Sequence, residues 1–332
     1  MSCKPWLLLP PKLSHDLSPE LLRVMTAFKR WPKSPSKPKR LFGGLEFSSP
    51  FGTAGGLDKK ATSLNAWTKM GAGFLEIGTF TPKPQKANPG VILKKSIKEK
   101  ALWNSMGFPN AGFEAVLPKI EGFIKKSEGL YRPPLFINIG KNRDTKLEDA
   151  HEDYLLGLKH FSKVADTFVI NISSPNTKGL RELHDEKNFK NFITPLIEST
   201  EKPLILKISP DLETEAFKDF IELCTTLKID GLTLTNTTAS RSEKTTPLFP
   251  AHGGVSGKPL AKLSLSRLIE ARKILRAKES QQTLISVGGV MTPPQATDRL
   301  KAGADLVQFY SGLIFYGPSL LKDSADFFSQ NN

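Results

Sequence analysis

Several residue types that build active sites are scarce in this chain of 332 residues. There are two cysteines, Cys3 and Cys224, far apart in sequence. Two thiols give no disulfide framework, so a reducing compartment is expected. Of the five histidines (His15, His151, His160, His184 and His252) none stands at metal-ligand spacing, so surface or cap positions are expected and no metal site is predicted. No apolar run approaches the ~20 residues of a membrane span. Trp6-Leu7-Leu8-Leu9 is too short for the core of a signal peptide and ends at Pro10-Pro11. No internal repeat is visible, and no Gly-x-Ser-x-Gly elbow surrounds Ser174. Acidic residues are also few: 33 Asp and Glu stand against 47 Lys and Arg, a formal net charge of +14. That excess favours anionic partners, whether phosphate ligands, nucleic acid or an acidic membrane surface, without choosing among them.

Residues 1–40 differ from the rest. Leu13, Leu17, Leu21, Leu22, Val24, Met25 and Phe28 recur at helical spacing, and Ser18-Pro19-Glu20 reads as the helix start. The stretch from Trp31 to Pro38 is rich in Pro and Lys and reads as a stiff basic linker, with Lys29, Arg30, Lys33, Lys37, Lys39 and Arg40 concentrating charge there. An apolar-faced helix beside basic residues packs either on a neighbouring domain or on a membrane surface. From residue 41 to 332, short β-rich runs alternate with helical stretches. Strands are expected at 51–54, 73–77, 135–139, 167–171, 204–208, 231–235, 284–287 and 305–309, with helices around 59–70, 111–126, 148–164, 186–199, 213–228, 262–278, 293–302 and 318–329. This alternation predicts an α/β chain with one (β/α)8 barrel and a short N-terminal helical extension. Segment 80–108 is too long for a simple connection and predicts an excursion, such as a hairpin, over the barrel mouth.

In such barrels the site lies at the C-terminal ends of the strands. The residues there are Gly55-Gly56-Leu57-Asp58-Lys59, Thr79, Asn138, Asn171 to Asn176, Lys207, Thr235-Asn236-Thr237, Gly289 and Tyr310-Ser311. Amides, hydroxyls, glycines and two lysines dominate, and acids are few. A rim of this kind suits a planar heterocycle with many hydrogen-bonding edges. Glycines after strands 7 and 8, with Ser311, fit the phosphate site common in barrels. A phosphorylated planar cofactor satisfies both features, and flavin mononucleotide (FMN) is the natural candidate. Physics alone does not select Ser174 as a base, because a free serine is a poor base and no histidine is near it in sequence.

Taken together, the segments resemble dihydroorotate dehydrogenases. The resemblance is carried by Ala54 to Lys59, Glu76-Ile77-Gly78-Thr79-Phe80-Thr81-Pro82-Lys83-Pro84-Gln85, Asn104-Ser105-Met106-Gly107-Phe108, Asn138-Ile139-Gly140-Lys141-Asn142, and Asn171 through Ser174 and Lys178 to Arg181. Lys207-Ile208-Ser209-Pro210-Asp211, Thr235 to Thr238, Gly253 to Leu260 and Val307 to Gly312 complete it. It implies oxidation of (S)-dihydroorotate to orotate in pyrimidine biosynthesis. Ser174 would take a proton from C5 while hydride leaves C6 for the flavin. Lys59, Asn104, Ser105, Met106, Gly107, Phe108, Asn171, Asn176, Asn236 and Thr237 would form the substrate pocket. Gly55, Gly56, Leu57, Asp58, Lys59, Thr79, Asn138, Asn171, Lys207, Thr235, Gly257, Gly289, Tyr310 and Ser311 would hold FMN.

A serine at the base position and a leading segment 1–40 resemble class 2 of the family, which passes electrons to a membrane quinone. A peripheral enzyme on the cytoplasmic side of the cell membrane is expected, monomeric and without nucleic-acid partners. The alternatives are a soluble class 1 enzyme using fumarate or NAD, which carries cysteine where Ser174 stands, and a flavin-dependent tRNA dihydrouridine synthase, which adds a C-terminal helical domain. Two departures from the family pattern stand out. Gly90-Val91-Ile92-Leu93-Lys94-Lys95 replaces an Arg-Leu-Phe-Arg-like run, and Gly55 replaces the more usual alanine, a change expected to be harmless.

Overall fold

The computed structural model describes residues 4–35, 38–42, 44–177 and 179–331; Cys3, Ser36, Lys37 and Lys178 lie outside them. The chain opens with a 3-10 turn (Pro5–Leu7) and the helix α1 (Pro11–Thr26). An antiparallel pair follows, β1 (Lys39–Leu41) and β2 (Leu45–Phe47). Then comes β3 (Phe51–Thr53), with α2 (Leu64–Lys69), and β4 (Leu75–Phe80). The excursion after β4 is a hairpin of β5 (Leu93–Ser96) and β6 (Ala101–Asn104), leading to α3 (Phe113–Lys126). Regular units follow: β7 (Leu135–Ile139) with α4 (Ala150–Phe161), β8 (Thr167–Asn171) with α5 (Glu186–Glu198), and β9 (Leu204–Ile208) with α6 (Thr214–Thr226). After β10 (Gly231–Leu234) the chain leaves the barrel for β11 (Gly254–Gly257), which pairs with β6, before α7 (Ala261–Ala277). The last units are β12 (Thr283–Val287) with α8 (Pro293–Lys301), then β13 (Leu306–Phe309) with α9 (Ser311–Tyr316) and α10 (Leu320–Gln330).

Eight strands close a barrel in the order β3, β4, β7, β8, β9, β10, β12, β13, every neighbouring pair parallel. Their residues are buried on both faces, which is why these strands read as continuous apolar runs rather than alternating ones. The expected strands and helices lie where the sequence places them, with shifted ends: β4 spans 75–80 rather than 73–77. At the N-terminal end of the barrel, Phe47, Phe74 and Phe136 pack with Val169, Ile205, Ile285 and Leu306, and Leu41, Phe42 and Leu45 of the β1/β2 pair cover them. This apolar plug closes one end and leaves the other for chemistry.

Two elements differ from expectation. The helix α1 begins at Pro11, not at Ser18, and Pro19 lies within it. Proline has no N–H for the carbonyl four residues back. That carbonyl, on His15, instead accepts a hydrogen bond from Ser18 Oγ at 2.8 Å, so a neighbouring side chain supplies what proline lacks. The second helix, α2, begins only at Leu64, because the buried Asp58 carboxylate accepts N–H groups from Lys60, Thr62 and Ser63 and holds 60–63 as turns. Three histidines are not surface residues: His160 stacks on the Phe113 ring with its Nε2 buried. His15 lines a cavity beside α1, and His184 is half-buried against the Phe220 ring, with its Nδ1 2.9 Å from the Arg181 carbonyl.

Candidate active site

The strand ends surround a cavity of about 950 Å³ at the open end of the barrel. Its floor is a polar network in an otherwise apolar interior. Glu76 on β4 is fully buried, and its carboxylate accepts from Asn138 Nδ2 (2.6 Å), Lys207 Nζ (2.9 Å) and Gln308 Nε2 (2.5 Å). Glu76 and Lys207 cancel each other's charge, and the amides satisfy remaining lone pairs, as a buried ion pair requires. Gln308 Oε1, left without a partner, lines the cavity.

One wall is a set of interlocked amides and hydroxyls. Asn171 donates to Thr79 Oγ1 (3.0 Å) and its Oδ1 accepts from Ser173 Oγ (3.1 Å). Asn236 Nδ2 donates to the same Ser173 hydroxyl at 3.0 Å. Asn176 Nδ2 donates to Asn104 Oδ1 at 2.8 Å, whereas Asn176 Oδ1 is buried with no partner. Ser174 lines the cavity, almost wholly buried, and its Oγ accepts the Asn176 N–H at 3.2 Å. Arg181 braces this wall from behind through the carbonyls of Ser173 and Thr237, anchored on Asp211 at 2.9 Å.

At the other end lie Gly288, Gly289, Val290, Ser256 and Ser311, with the two serine hydroxyls 2.9 Å apart. Gly289 has φ +71°, and a Cβ there would come within 2.5 Å of Ala261, so only glycine lets the chain turn this closely. Arg299, buried beneath, donates to the carbonyls of Gly288 and Ala261 and to Ser264 Oγ. Loss of hydration pulls its pKa down to about 10, so it remains a cation behind the glycine turn.

Lys59 reaches the cavity from the β3 loop, with Nζ 2.8 Å from Met106 Sδ. Desolvation lowers its pKa to about 8. A desolvated amine set against a thioether is a ready partner for an anion.

The structure brings together most of the residues singled out from sequence. Gly55, Gly56, Lys59, Thr79, Asn104, Met106, Gly107, Phe108, Asn171, Ser174, Asn176, Lys207, Thr235, Asn236, Thr237, Gly289, Tyr310 and Ser311 all line this cavity. Five do not. Leu57 and Asp58 face neighbouring cavities, Asn138 is turned onto the Glu76 carboxylate, Ser105 donates its N–H to the Ile92 carbonyl, and Gly257 follows Ser256 at the edge of the small sheet. Gly55 is not a neutral replacement for alanine here: a Cβ would stand 2.2 Å from Glu76 Oε1, so alanine would displace the carboxylate. Glu76, Gln308, Ser256 and Arg299 were not singled out, although a glutamate or arginine inside an apolar strand or helix face is a sequence signal for a buried polar centre.

On the far side of α1 from solvent lies a second cavity, of about 1050 Å³. Trp6, Leu21, Leu22, Met25, Trp67 and Leu102 make its wall mostly apolar. Asn104, Ser256 and Tyr310 line both cavities, so the two share a wall. Among the described residues, no helix is long and apolar enough to cross a membrane and no group of His, Cys, Asp and Glu could hold a metal ion.

A parallel barrel with a glycine- and hydroxyl-lined pocket at one end of its mouth and an amide wall at the other defines an α/β-barrel enzyme for planar, anionic ligands. The dihydroorotate dehydrogenase family model matches residues 39–326, and the chain belongs to that family. It is similar to a dihydroorotate dehydrogenase (quinone) of Thermus thermophilus, 42% identical over 275 residues, 83% of this chain and 78% of the relative. It is also similar to one of Acinetobacter baylyi, 39% identical over 331 residues and 95% of each chain. A crystal structure of the Eimeria tenella enzyme in complex with ferulenol superposes with a TM-score of 0.85 at 30% identity, covering 99% of this chain and 94% of that one.

Proposed function

We propose that the mouth cavity holds FMN and (S)-dihydroorotate side by side and that the second cavity admits a membrane quinone. The chain is then a quinone-dependent dihydroorotate dehydrogenase that makes orotate for pyrimidine biosynthesis. The observation that carries this reading is the shared wall of Asn104, Ser256 and Tyr310, which sets a polar, amide-lined space against an apolar one. The polar residues fit the two ligands. Unpartnered Gln308 Oε1 and the Lys207 ammonium face where a flavin ring would lie, and Ser256, Ser311 and the glycine turn above Arg299 suit its phosphate. Unpartnered Asn176 Oδ1 suits a ring N–H of the substrate.

Bound flavin supplies the hydride acceptor. The protein's own part is to bind, orient and move a proton. Lys59 pairs with the substrate carboxylate, and Asn104, Asn171, Asn176 and Asn236 fix the ring edge. Ser174 Oγ takes the C5 proton, and the Asn176 N–H donated to that oxygen stabilises it as its own proton leaves for water. Residues 1–40 form a membrane and quinone segment ahead of the barrel at 41–332. Leu13, Leu17, Val24 and Phe28 of that segment face solvent, where an anionic lipid surface would cover them and attract the basic stretch that follows. The enzyme sits as a monomer on the cytoplasmic face of the cell membrane.

Anaerobic mixing of the purified yellow protein with dihydroorotate tests the reading. The flavin absorbance should bleach, and a long-chain quinone should restore it. A protein that releases no FMN on denaturation, or whose flavin is untouched by dihydroorotate, overturns it.

A further inference from the structure

A third cavity opens on the other flank of α1, counting about 1110 Å³ to its open side. From α1 it takes Lys12, His15 and Asp16, and from the barrel side Lys60 and Lys119. Its inner end is closed by Lys59 and Met106, which also line the mouth cavity, so the two spaces meet at the Lys59 ammonium. The lining is basic: four lysines stand against two carboxylates. One of these, Asp16, is already paired with Lys12 at 2.6 Å, and the other, Asp58, is buried and turned onto backbone N–H groups. His15 reports the same field. Burial first, then the charges of Lys59, Lys60 and Lys12, hold its pKa down to about 4, with Asp16 alone opposing. The imidazole therefore stays neutral and adds no charge of its own.

At the rim of the mouth cavity two hydrogen bonds converge on Asn176. Asn176 bridges to Asn104 at 2.8 Å, and Asn88 Nδ2 reaches the Asn176 carbonyl at 3.4 Å. The cavity under α1 is mostly apolar, so a carboxylate passing through it would lose much of its hydration. We infer that the basic cleft between α1 and the barrel is the lane by which small anionic substrate reaches Lys59 and anionic product leaves. Lys12, Lys60 and Lys119 steer the carboxylate heterocycle from solvent. This rests on the assignment of Lys59 and the mouth cavity to dihydroorotate. A cleft lined by one sign of charge between low-dielectric walls raises the local concentration of a counter-ion and its on-rate by ~10–10³, and salt screens the effect over a Debye length of ~8–10 Å.

The test uses the FMN-loaded enzyme in an anaerobic stopped flow, reading flavin bleaching by dihydroorotate at low and high salt. Lys60 and Lys119 are exposed, and neither touches the mouth cavity. For Lys60→Gln with Lys119→Gln the second-order rate constant should fall about 10-fold at low salt. Its decline with salt should flatten, while the limiting rate at saturating dihydroorotate and the reoxidation by quinone stay as in the parent. Charge reversal at the same two positions should deepen the loss, and Ala111→Trp, which narrows the cleft without touching charge, should slow orotate release. If the double variant matches the parent in second-order rate constant and in salt dependence, the lane is wrong and the substrate assignment stands. If the parent enzyme is not bleached at all, it is the substrate assignment that falls, and the lane with it.

Discussion

The Lys207 ammonium lies 2.9 Å from Glu76 Oε1, with the lysine side chain 6% and the glutamate 0% exposed. Neither charge has water to fall back on, so each depends on the other and on the amides of Asn138 and Gln308. Removing one partner of such a pair costs about 3–5 kcal/mol, because the survivor is left charged and buried. Glu76→Leu should therefore lower the stability to chemical denaturation by that amount. It should also release flavin on gel filtration, since Gln308 and Lys207 lose the carboxylate that aims them at the cavity. An unchanged denaturation midpoint would show that the network is not structural.

Ser174→Ala should keep its flavin and fold normally, since the hydroxyl accepts a single long hydrogen bond, from the neighbouring Asn176 N–H. Loss of a general base costs ~10²–10⁴ in rate. Flavin bleaching by dihydroorotate should slow by that factor while quinone reoxidation is unchanged. Ser174→Cys should retain some activity. Bleaching of the alanine variant at the parent rate removes Ser174 from the mechanism.

Lys59 makes a prediction with pH. Its folded-state pKa of about 8 lies below the ordinary lysine value of 10.5. Between those values the unfolded chain holds a proton that the folded chain has lost, so stability rises with pH through that window, and the cost of the buried charge is full below it. Ligand-free Lys59→Met should be more stable than the parent at pH 7, with the margin closing as pH climbs from about 8 to 10.5. Orotate binding, followed by the flavin spectrum, should weaken above pH 8 in the parent and be weak at every pH in Lys59→Met. A parent affinity that is flat from pH 7 to 10 contradicts the assigned role.

The segment 1–40 can be tested without deleting it. Ser14 lines the apolar cavity and does not line the mouth cavity. Ser14→Trp should leave bleaching by dihydroorotate intact and slow reoxidation by a long-chain quinone at least tenfold. Val24 and Phe28 are 72% and 101% exposed. Replacing both with glutamate should lower binding to anionic vesicles in a flotation assay while activity with a short, water-soluble quinone persists. Equal vesicle binding would make that face only a surface.

The barrel was legible because its strands are buried on both sides, which forces apolar runs whose spacing survives any detail of packing. The hairpin over the mouth was legible as a connection too long for its job. The start of α1 was not. Pro19 looks like a helix opener, and its compensation by Ser18 Oγ on the His15 carbonyl is a contact between side chain and backbone that no periodicity encodes. Six-residue α9 was missed for want of length. At the mouth, the strand-end rule placed Lys59, Asn171, Ser174 and Lys207 correctly in space. It also swept in Asp58, whose carboxylate is turned onto its own loop, because position after a strand does not say which way a side chain points. Glu76 was overlooked for the converse reason: it sits within β4, not at its end, and acts through the residues above it.

The aromatic plug has a consequence of its own. Phe74 and Phe136 lie 5.1 Å apart by ring centroid, with Phe47 edge-on to both. Nothing that reacts or diffuses passes that end of the barrel. Endurance and turnover are thereby written into different ends of the same strands. A lineage facing heat or cold can retune one set of phenylalanines without disturbing the other end, and an engineer has the same freedom. The melting temperature can be moved from the bottom while the rate constants stay where the top has set them.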